Sequence, residues 1–232
     1  MSKHLNETLP TTSKEMNNEQ AFETSKAPDR KRGYLIAKRI LDIVLSGIGI
    51  VLCIIPMLII SLIIRLESPG ASIYSHKRVG KNGKTLSLLK FRSMYTNADE
   101  MIQNFTPEQK AEWEENFKLE DDPRVTRIGK FLRRSSLDEL PQLINVLKGE
   151  LSLVGPRPVV SEELEKYEEN KAKFLSVTPG LTGYWQAYAR SSCSYEQRME
   201  MELFYVENAN FWWDIKILFV TVGVVLRGKG AK

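Results

Sequence analysis

The chain has 232 residues, enough for one domain with attachments, and 33 Lys and Arg against 29 Asp and Glu leave a net charge of only +4. Its two cysteines, Cys53 in an apolar run and Cys193 in a polar stretch, give neither a disulfide framework nor a zinc spacing. The two histidines, His4 and His76, are isolated, which argues against a His-based metal site and a Ser-His-Asp triad.

Residues 1–33 are polar, with too few large apolar side chains to offset the entropy of ordering. They predict a disordered tail ending in the basic cluster Arg30-Lys31-Arg32, and not a signal peptide, because the apolar run starts too far in. Residues 34–66 predict a membrane helix. From Ile40 to Ile64 the chain is almost wholly apolar, with Asp42 the one charge, and a helix over that run reaches ~35 Å. Lys38 and Arg39 precede the run, and Arg65, His76, Lys77 and Arg78 follow it, so a simple span leaves one basic end on the wrong side. A helix broken near Pro56 that enters and leaves on the cytoplasmic face satisfies both facts. On the residues alone, spanning and re-entrant arrangements both stand.

Residues 67–232 read as a cytoplasmic domain. Segments 73–79 and 85–91 flank a turn with Asn82-Gly83, a hairpin signal. Residues 97–118, 138–148, 161–173 and 194–208 predict helices. The apolar stretch 211–226 opens with Phe211-Trp212-Trp213, which suits a helix at the lipid–water interface; a core helix fits it equally.

The residues that could carry chemistry are densest between Asp121 and Pro158. Arg124, Arg127, Lys130, Arg133 and Arg134 recur at three- or four-residue steps. That stripe can serve phosphates, anionic lipid headgroups or plain solvation. In Asp138-Glu139, Ser136 and Glu139 have capping-box spacing, yet a carboxylate at a helix N-terminus beside arginines stays ionised and could act as nucleophile or Mg2+ ligand. Gly155-Pro156-Arg157-Pro158 fixes one arginine on rigid backbone, and Pro179 to Gly183 with Arg190 repeats the device. No GxxxxGK[ST] or GxGxxG pattern occurs, which disfavours a P-loop or dinucleotide site.

KFRSM (90–94), the run 126–158, PGLTGYWQ (179–186) and YVENANFWWDIKIL (205–218) together resemble the bacterial sugar transferase family, the small monotopic phosphoglycosyl transferases. The resemblance covers roughly residues 34–230. It implies transfer of a sugar-1-phosphate from a UDP-sugar to undecaprenyl phosphate, with release of UMP, as the first membrane step of exopolysaccharide or capsule assembly. Asp138 is then the nucleophile of a covalent aspartyl intermediate, and Mg2+ is expected at Asp138 and Glu139. Arg133 and Arg157, and more weakly Lys90 and Arg92, match positions suited to phosphate. The implied fold is α+β and mainly helical: a re-entrant membrane helix broken at Pro56, a small β-hairpin, and amphipathic interfacial helices around a compact cytoplasmic active site. The implied location is the cytoplasmic face of the cell membrane. A homo-oligomer and other polysaccharide-assembly proteins are further partners the resemblance allows, and nucleic acid is not one. Larger members carry several further spans first, for which the polar leader is expected to leave no room. The rival class is a membrane-anchored scaffold that binds anionic lipid without catalysis. The residues do not name the sugar; galactose or glucose is the leading expectation.

Overall fold

The computed structural model describes residues 30–116, 119, 121–189 and 193–226. The polar leader up to residue 29 and Arg190 lie outside the described residues. Helix α1 runs Arg32–Glu67, and Arg30 just before it donates to the Val206 carbonyl at 2.6 Å. The helix is long and apolar enough to cross a membrane. It continues through Pro56, where the sequence predicted a break. A proline removes one backbone donor, but packing on both sides of it, Gly49 and Ile50 before and Met57 and Ile60 after, keeps the backbone helical.

One stripe of α1 faces the rest of the protein along its whole length. Asp42, Ser46, Ile60 and Ile64 are buried, and Ile50 and Met57 are half-buried between them. The remaining surface is apolar and open: Val51, Leu52, Ile55 and Leu58 are each at least 65% exposed. An apolar surface of that extent belongs in lipid rather than water.

Both ends of α1 are fastened to the same body. At its start, Arg39 donates to the carbonyls of Val146 and Leu147, each at 2.7 Å, closing the C-terminus of α5 (Gln142–Lys148). Lys38 donates to Val154 O at 2.8 Å, while Asp42 accepts from Leu153 N at 2.8 Å and Ser152 Oγ at 3.1 Å. The basic flank is therefore occupied in holding backbone, which the sequence read as a topology signal. At its other end, Glu67 accepts from the Arg127 and Ile128 amides at 2.8 and 3.0 Å, capping α4 (Arg127–Ser135).

After α1 comes the hairpin, β1 (Ile73–Val79) paired antiparallel with β2 (Thr85–Phe91) in the register Ile73↔Phe91 to Val79↔Thr85. Asn82 and Gly83 both adopt left-handed backbone (φ 57° and 73°) to make the turn. The helix expected over 97–118 is split into α2 (Ala98–Met101) and α3 (Pro107–Asn116). The one expected over 161–173 is likewise split into α6 (Ser161–Glu165) and α7 (Lys171–Leu175), where Glu168 takes φ 45°.

A second sheet escaped the sequence reading. Strand β3 (Ser152–Val154) runs parallel to β4 (Gly180–Thr182). Three residues are too short to show a period, so only the tertiary pairing defines them. Their backbones touch: a Cβ on Gly180 would lie 2.1 Å from Gly155 N, and one on Gly183 would lie 2.2 Å from Gly155 O. The Gly155–Pro158 and Pro179–Gly183 loops are thus one structure.

Helix α8 (Tyr184–Tyr188) leads to α9 (Tyr195–Asn208), whose start carries a capping box between Ser194 and Gln197. Helix α10 (Phe211–Leu226) packs one side into the core, as a core helix would, and leaves another side open. Asp214 and Ile217 are buried in the core, and Trp212 and Phe219 on another side are 77% and 75% exposed. The main core joins Leu86 and Leu88 of the hairpin, Leu143 and Val146 of α5, β3, Tyr205 and Ile217.

Candidate functional site

Helix α4 opens with Thr126, whose side chain accepts from Gly129 N, and closes at Ser136 in left-handed backbone (φ 59°). Gly129 is needed here, because a Cβ would sit 2.0 Å from Ser93 O. Leu137–Glu139 then forms a single tight helical turn before α5. The dyad lies on this turn. Ser136 ends the preceding helix and does not cap the following one, so the expected capping box is absent.

Lys90, at the end of β2, meets both carboxylates: its Nζ is 2.8 Å from Glu139 Oε1 and 3.7 Å from Asp138 Oδ2. Arg157 Nη1 lies 3.9 Å from Glu139 Oε1. Arg133 is held by Nε donating to Ser93 Oγ at 3.0 Å, within electrostatic reach of Asp138. Asp138, Glu139, Lys90, Arg133 and Arg157 therefore share one site.

Burial pushes the Asp138 carboxyl above the usual carboxylate range; Lys90 and Arg133 oppose that, and Glu139 adds to it. Burial thus works against the neighbouring cations that the sequence relied on to keep Asp138 ionised. Burial also pushes Glu139 up, but Lys90 and Arg157 outweigh it and hold Glu139 below the usual range. The two adjacent carboxyls are driven apart, a pattern suited to two roles.

Other predicted residues fall elsewhere. Arg92 caps the C-terminus of α1, donating to Pro69 O at 2.6 Å and to Ser68 O. Arg124 is paired to buried Asp122 at 2.7 Å and stacks over Trp113, its guanidinium carbon 4.4 Å from the ring centre. It precedes α4, so its apparent helical spacing with Arg127 was not real. Arg127, Lys130, Phe131 and Arg134 line a depression on α4 that neither dyad residue borders. Ser93 and Gln142 went unread, and Lys38 was read only as a flank charge; Gln142, buried at the start of α5, is one turn after Glu139. A run of Asp-Glu-Leu-Pro-Gln held the only signal for it.

For a metal, the donors on hand are two neighbouring carboxylates. Among the described residues no group of three His, Cys, Asp or Glu gathers. Mg2+ commonly binds one or two carboxylates together with substrate phosphates, and the dyad fits that need.

The sequence model described as "Bacterial sugar transferase" matches residues 33–228. A UDP-galactose-lipid carrier transferase of Erwinia amylovora is 47% identical over 197 residues, 84% of this chain and 41% of that protein. An undecaprenyl-phosphate galactose phosphotransferase of Salmonella typhimurium is 47% identical over 204 residues, 87% of this chain and 43% of that protein. The exopolysaccharide production protein ExoY of Sinorhizobium fredii is 40% identical over 199 residues, 84% of this chain and 88% of that protein. The chain thus spans less than half of the first two relatives and most of the third. With the dyad, its three cations and the apolar helix gathered in the matched region, the chain belongs to the bacterial sugar transferase family.

Proposed function

We propose that the protein transfers a sugar-1-phosphate from a UDP-sugar to undecaprenyl phosphate, in the assembly of an exopolysaccharide or capsule. The observation that carries this reading is the meeting of Asp138, Glu139, Lys90, Arg133 and Arg157 on elements packed against a membrane-type helix. The relatives' names supply the lipid carrier and the sugar nucleotide.

Asp138 Oδ attacks the sugar-bearing phosphorus of the diphosphate. The bond from that phosphorus to the bridging oxygen breaks, and the electron pair leaves with UMP. A phosphate oxygen of the lipid then attacks the same phosphorus and displaces the Asp138 carboxylate. The burial that raises Asp138 also strips water from its oxygens, which favours attack once it is ionised. Lys90, Arg133 and Arg157 supply positive charge for the phosphoryl oxygens. Glu139, held ionised between Lys90 and Arg157, fixes those two cations. Asp138 and Glu139 would also hold Mg2+, which when bound neutralises charge on the diphosphate.

The same reading places α1 as re-entrant, with both ends on the cytoplasmic face. Its support is that Lys38, Arg39 and Asp42 at one end and Glu67 at the other grip the same body.

The activity is tested by incubating the membrane-embedded protein with a panel of UDP-sugars and undecaprenyl phosphate. UMP release by the wild type and its loss in Asp138→Asn support the assignment; full turnover in Asp138→Asn sinks the nucleophile, and release of UDP sinks the reaction class. For topology, Lys31→Cys and Ala71→Cys should react with an impermeant thiol reagent from the same side of the membrane. Labelling from opposite sides refutes re-entry.

A further inference from the structure

Beyond the dyad lies a second concentration of cations that the reaction above does not use. Arg78 on β1 and Arg198 on α9 flank Arg157, and Arg78 feels the positive charge of both. The side chains of Arg78 and Arg198 are only 16% and 12% exposed. Arg78 Nε, Arg198 Nε and Nη2, and the Tyr195 hydroxyl are buried with no hydrogen-bond partner among the described residues.

Two carboxylates stand near, and neither closes on the guanidinium groups. Glu163 is 3.9 Å from Arg78 and 3.7 Å from Arg198, and Glu202 is 3.6 Å from Arg198. Glu202 is already engaged, accepting from Arg157 N at 3.2 Å and from the Tyr167 hydroxyl. Arg198 is fixed in place by lying over the rings of Trp185 and Tyr195, 4.6 and 5.2 Å from their centres. A buried guanidinium N–H without an acceptor is costly, and three like charges together raise that cost. An anion with several acceptor oxygens offsets both, and the planar fork of arginine matches phosphate best.

Position decides which phosphate. Arg157 reaches Glu139 with its side chain and joins the Glu202–Arg198 group through its amide, so the cluster begins one side chain from the dyad. It is built from β1, the Gly155–Pro158 loop, α6 and α9, whereas α1 packs on α4, α5, β3 and α10. In the activity proposed above, the lipid phosphate comes from the side of the apolar, open face of α1. We propose that Arg78 and Arg198, with Arg157 and the Tyr195 hydroxyl, bind the phosphate that departs with the nucleotide. This rests on the activity proposed above. When the bridging bond breaks, the electron pair adds one negative charge to that departing phosphate, and this cluster receives it.

The test uses the full chain in lipid nanodiscs, titrated calorimetrically with UMP, uridine and inorganic phosphate. Arg78→Gln and Arg198→Gln should each weaken UMP and phosphate binding at least about tenfold and leave uridine binding unchanged. Folding is checked by thermal melting. Should a Gln variant fail to fold, Arg78→Lys and Arg198→Lys decide, because they keep the charge and lose the fork; they too should weaken UMP. Wild-type UMP affinity in folded variants overturns the proposal. A raised KM for undecaprenyl phosphate with unchanged UMP affinity overturns it as well, giving the cluster to the acceptor. If the wild type binds UMP through these arginines but releases none from any UDP-sugar, the subsite stands and the proposed activity falls.

Discussion

Asp214→Asn should unfold the junction between the membrane helix and the site. Asp214 is 1% exposed and accepts from Lys38 Nζ at 2.7 Å, the Tyr34 hydroxyl at 2.9 Å and the Tyr205 hydroxyl at 2.6 Å. Asparagine keeps the shape but removes the charge and turns an amide donor towards other donors. Lys38, only 11% exposed, is left with the Val154 carbonyl and the Tyr205 hydroxyl, both neutral. Breaking one side of a buried pair costs about 3–5 kcal/mol, and the residual exposure of Lys38 favours the lower end. At about 2–4 °C per kcal/mol for a chain of this size, the melting temperature should fall by roughly 6–12 °C. Intrinsic fluorescence during thermal unfolding in nanodiscs measures it. Lys38→Met should be comparably harmful, and Lys38→Met with Asp214→Leu should recover part of the loss, since an apolar pair replaces a desolvated one while the Tyr34 and Tyr205 hydroxyls lose their acceptor. A single-variant shift under about 2 °C, or strictly additive losses in the double variant, refutes the buried-pair argument.

Three further outcomes follow from the same geometry. Gly180→Ala drives a Cβ into Gly155 N and Thr182 O at 2.1 and 2.3 Å. It should cost about 1–3 kcal/mol or more and lower turnover through Arg157, read by melting and kcat together; a silent substitution contradicts the loop contact. Leu52→Asp, on the exposed face of α1, should weaken retention in carbonate-washed membranes by placing a charge worth roughly 2.5–3.5 kcal/mol in lipid; unchanged retention contradicts a lipid-facing Leu52. For pH, burial raises Asp138 in the folded protein, so the folded state holds that proton more tightly than the unfolded chain. Its contribution to stability is then present below the ordinary carboxylate range and is lost as pH rises through the raised value. Asp138→Asn should therefore melt no lower than wild type at neutral pH, while Lys90→Met, which removes the main opposing charge, should move the acid limb of kcat/KM to higher pH. A limb that stays put separates Lys90 from Asp138.

What the sequence revealed divides along a physical line. Local devices were legible: the Asn82-Gly83 turn set both hairpin strands to their observed bounds, and the helix expected over 194–208 is α9. So was the cluster of Asp138, Glu139, Lys90, Arg133 and Arg157, though only because long motifs carried the resemblance. Long-range uses of ordinary residues were not. Arg92 has the same chemistry as Arg133, and only the arrival of the α1 C-terminus turns it into a cap. Lys38 and Asp214 are 176 residues apart, and each reads alone as a flank charge or an interruption. The stripe from Arg124 to Arg134 had one spacing and three fates, because the helix begins after Arg124.

The membrane helix also explains why the site needs it. Lys38 and Asp42 hold Val154, Leu153 and Ser152, and that strand runs directly into Gly155 and Arg157. Glu67 caps α4, which carries Arg133 and delivers the chain to Asp138 and Glu139. Arg92 ties the other end of α1 to β2, two residues after Lys90. One end of α1 thus positions Arg157, and the other positions Asp138 and Lys90. Helix α1 is continuous over 36 residues, ~54 Å, and both its ends contact one body; the proposed re-entrant arrangement puts those contacts on one side of the bilayer. Any tilt or bend that the lipid imposes on α1 changes the separation between Arg157 and Asp138. In that proposed arrangement the bilayer belongs to the geometry of the site, and a detergent that relaxes α1 should lower kcat before it lowers the melting temperature.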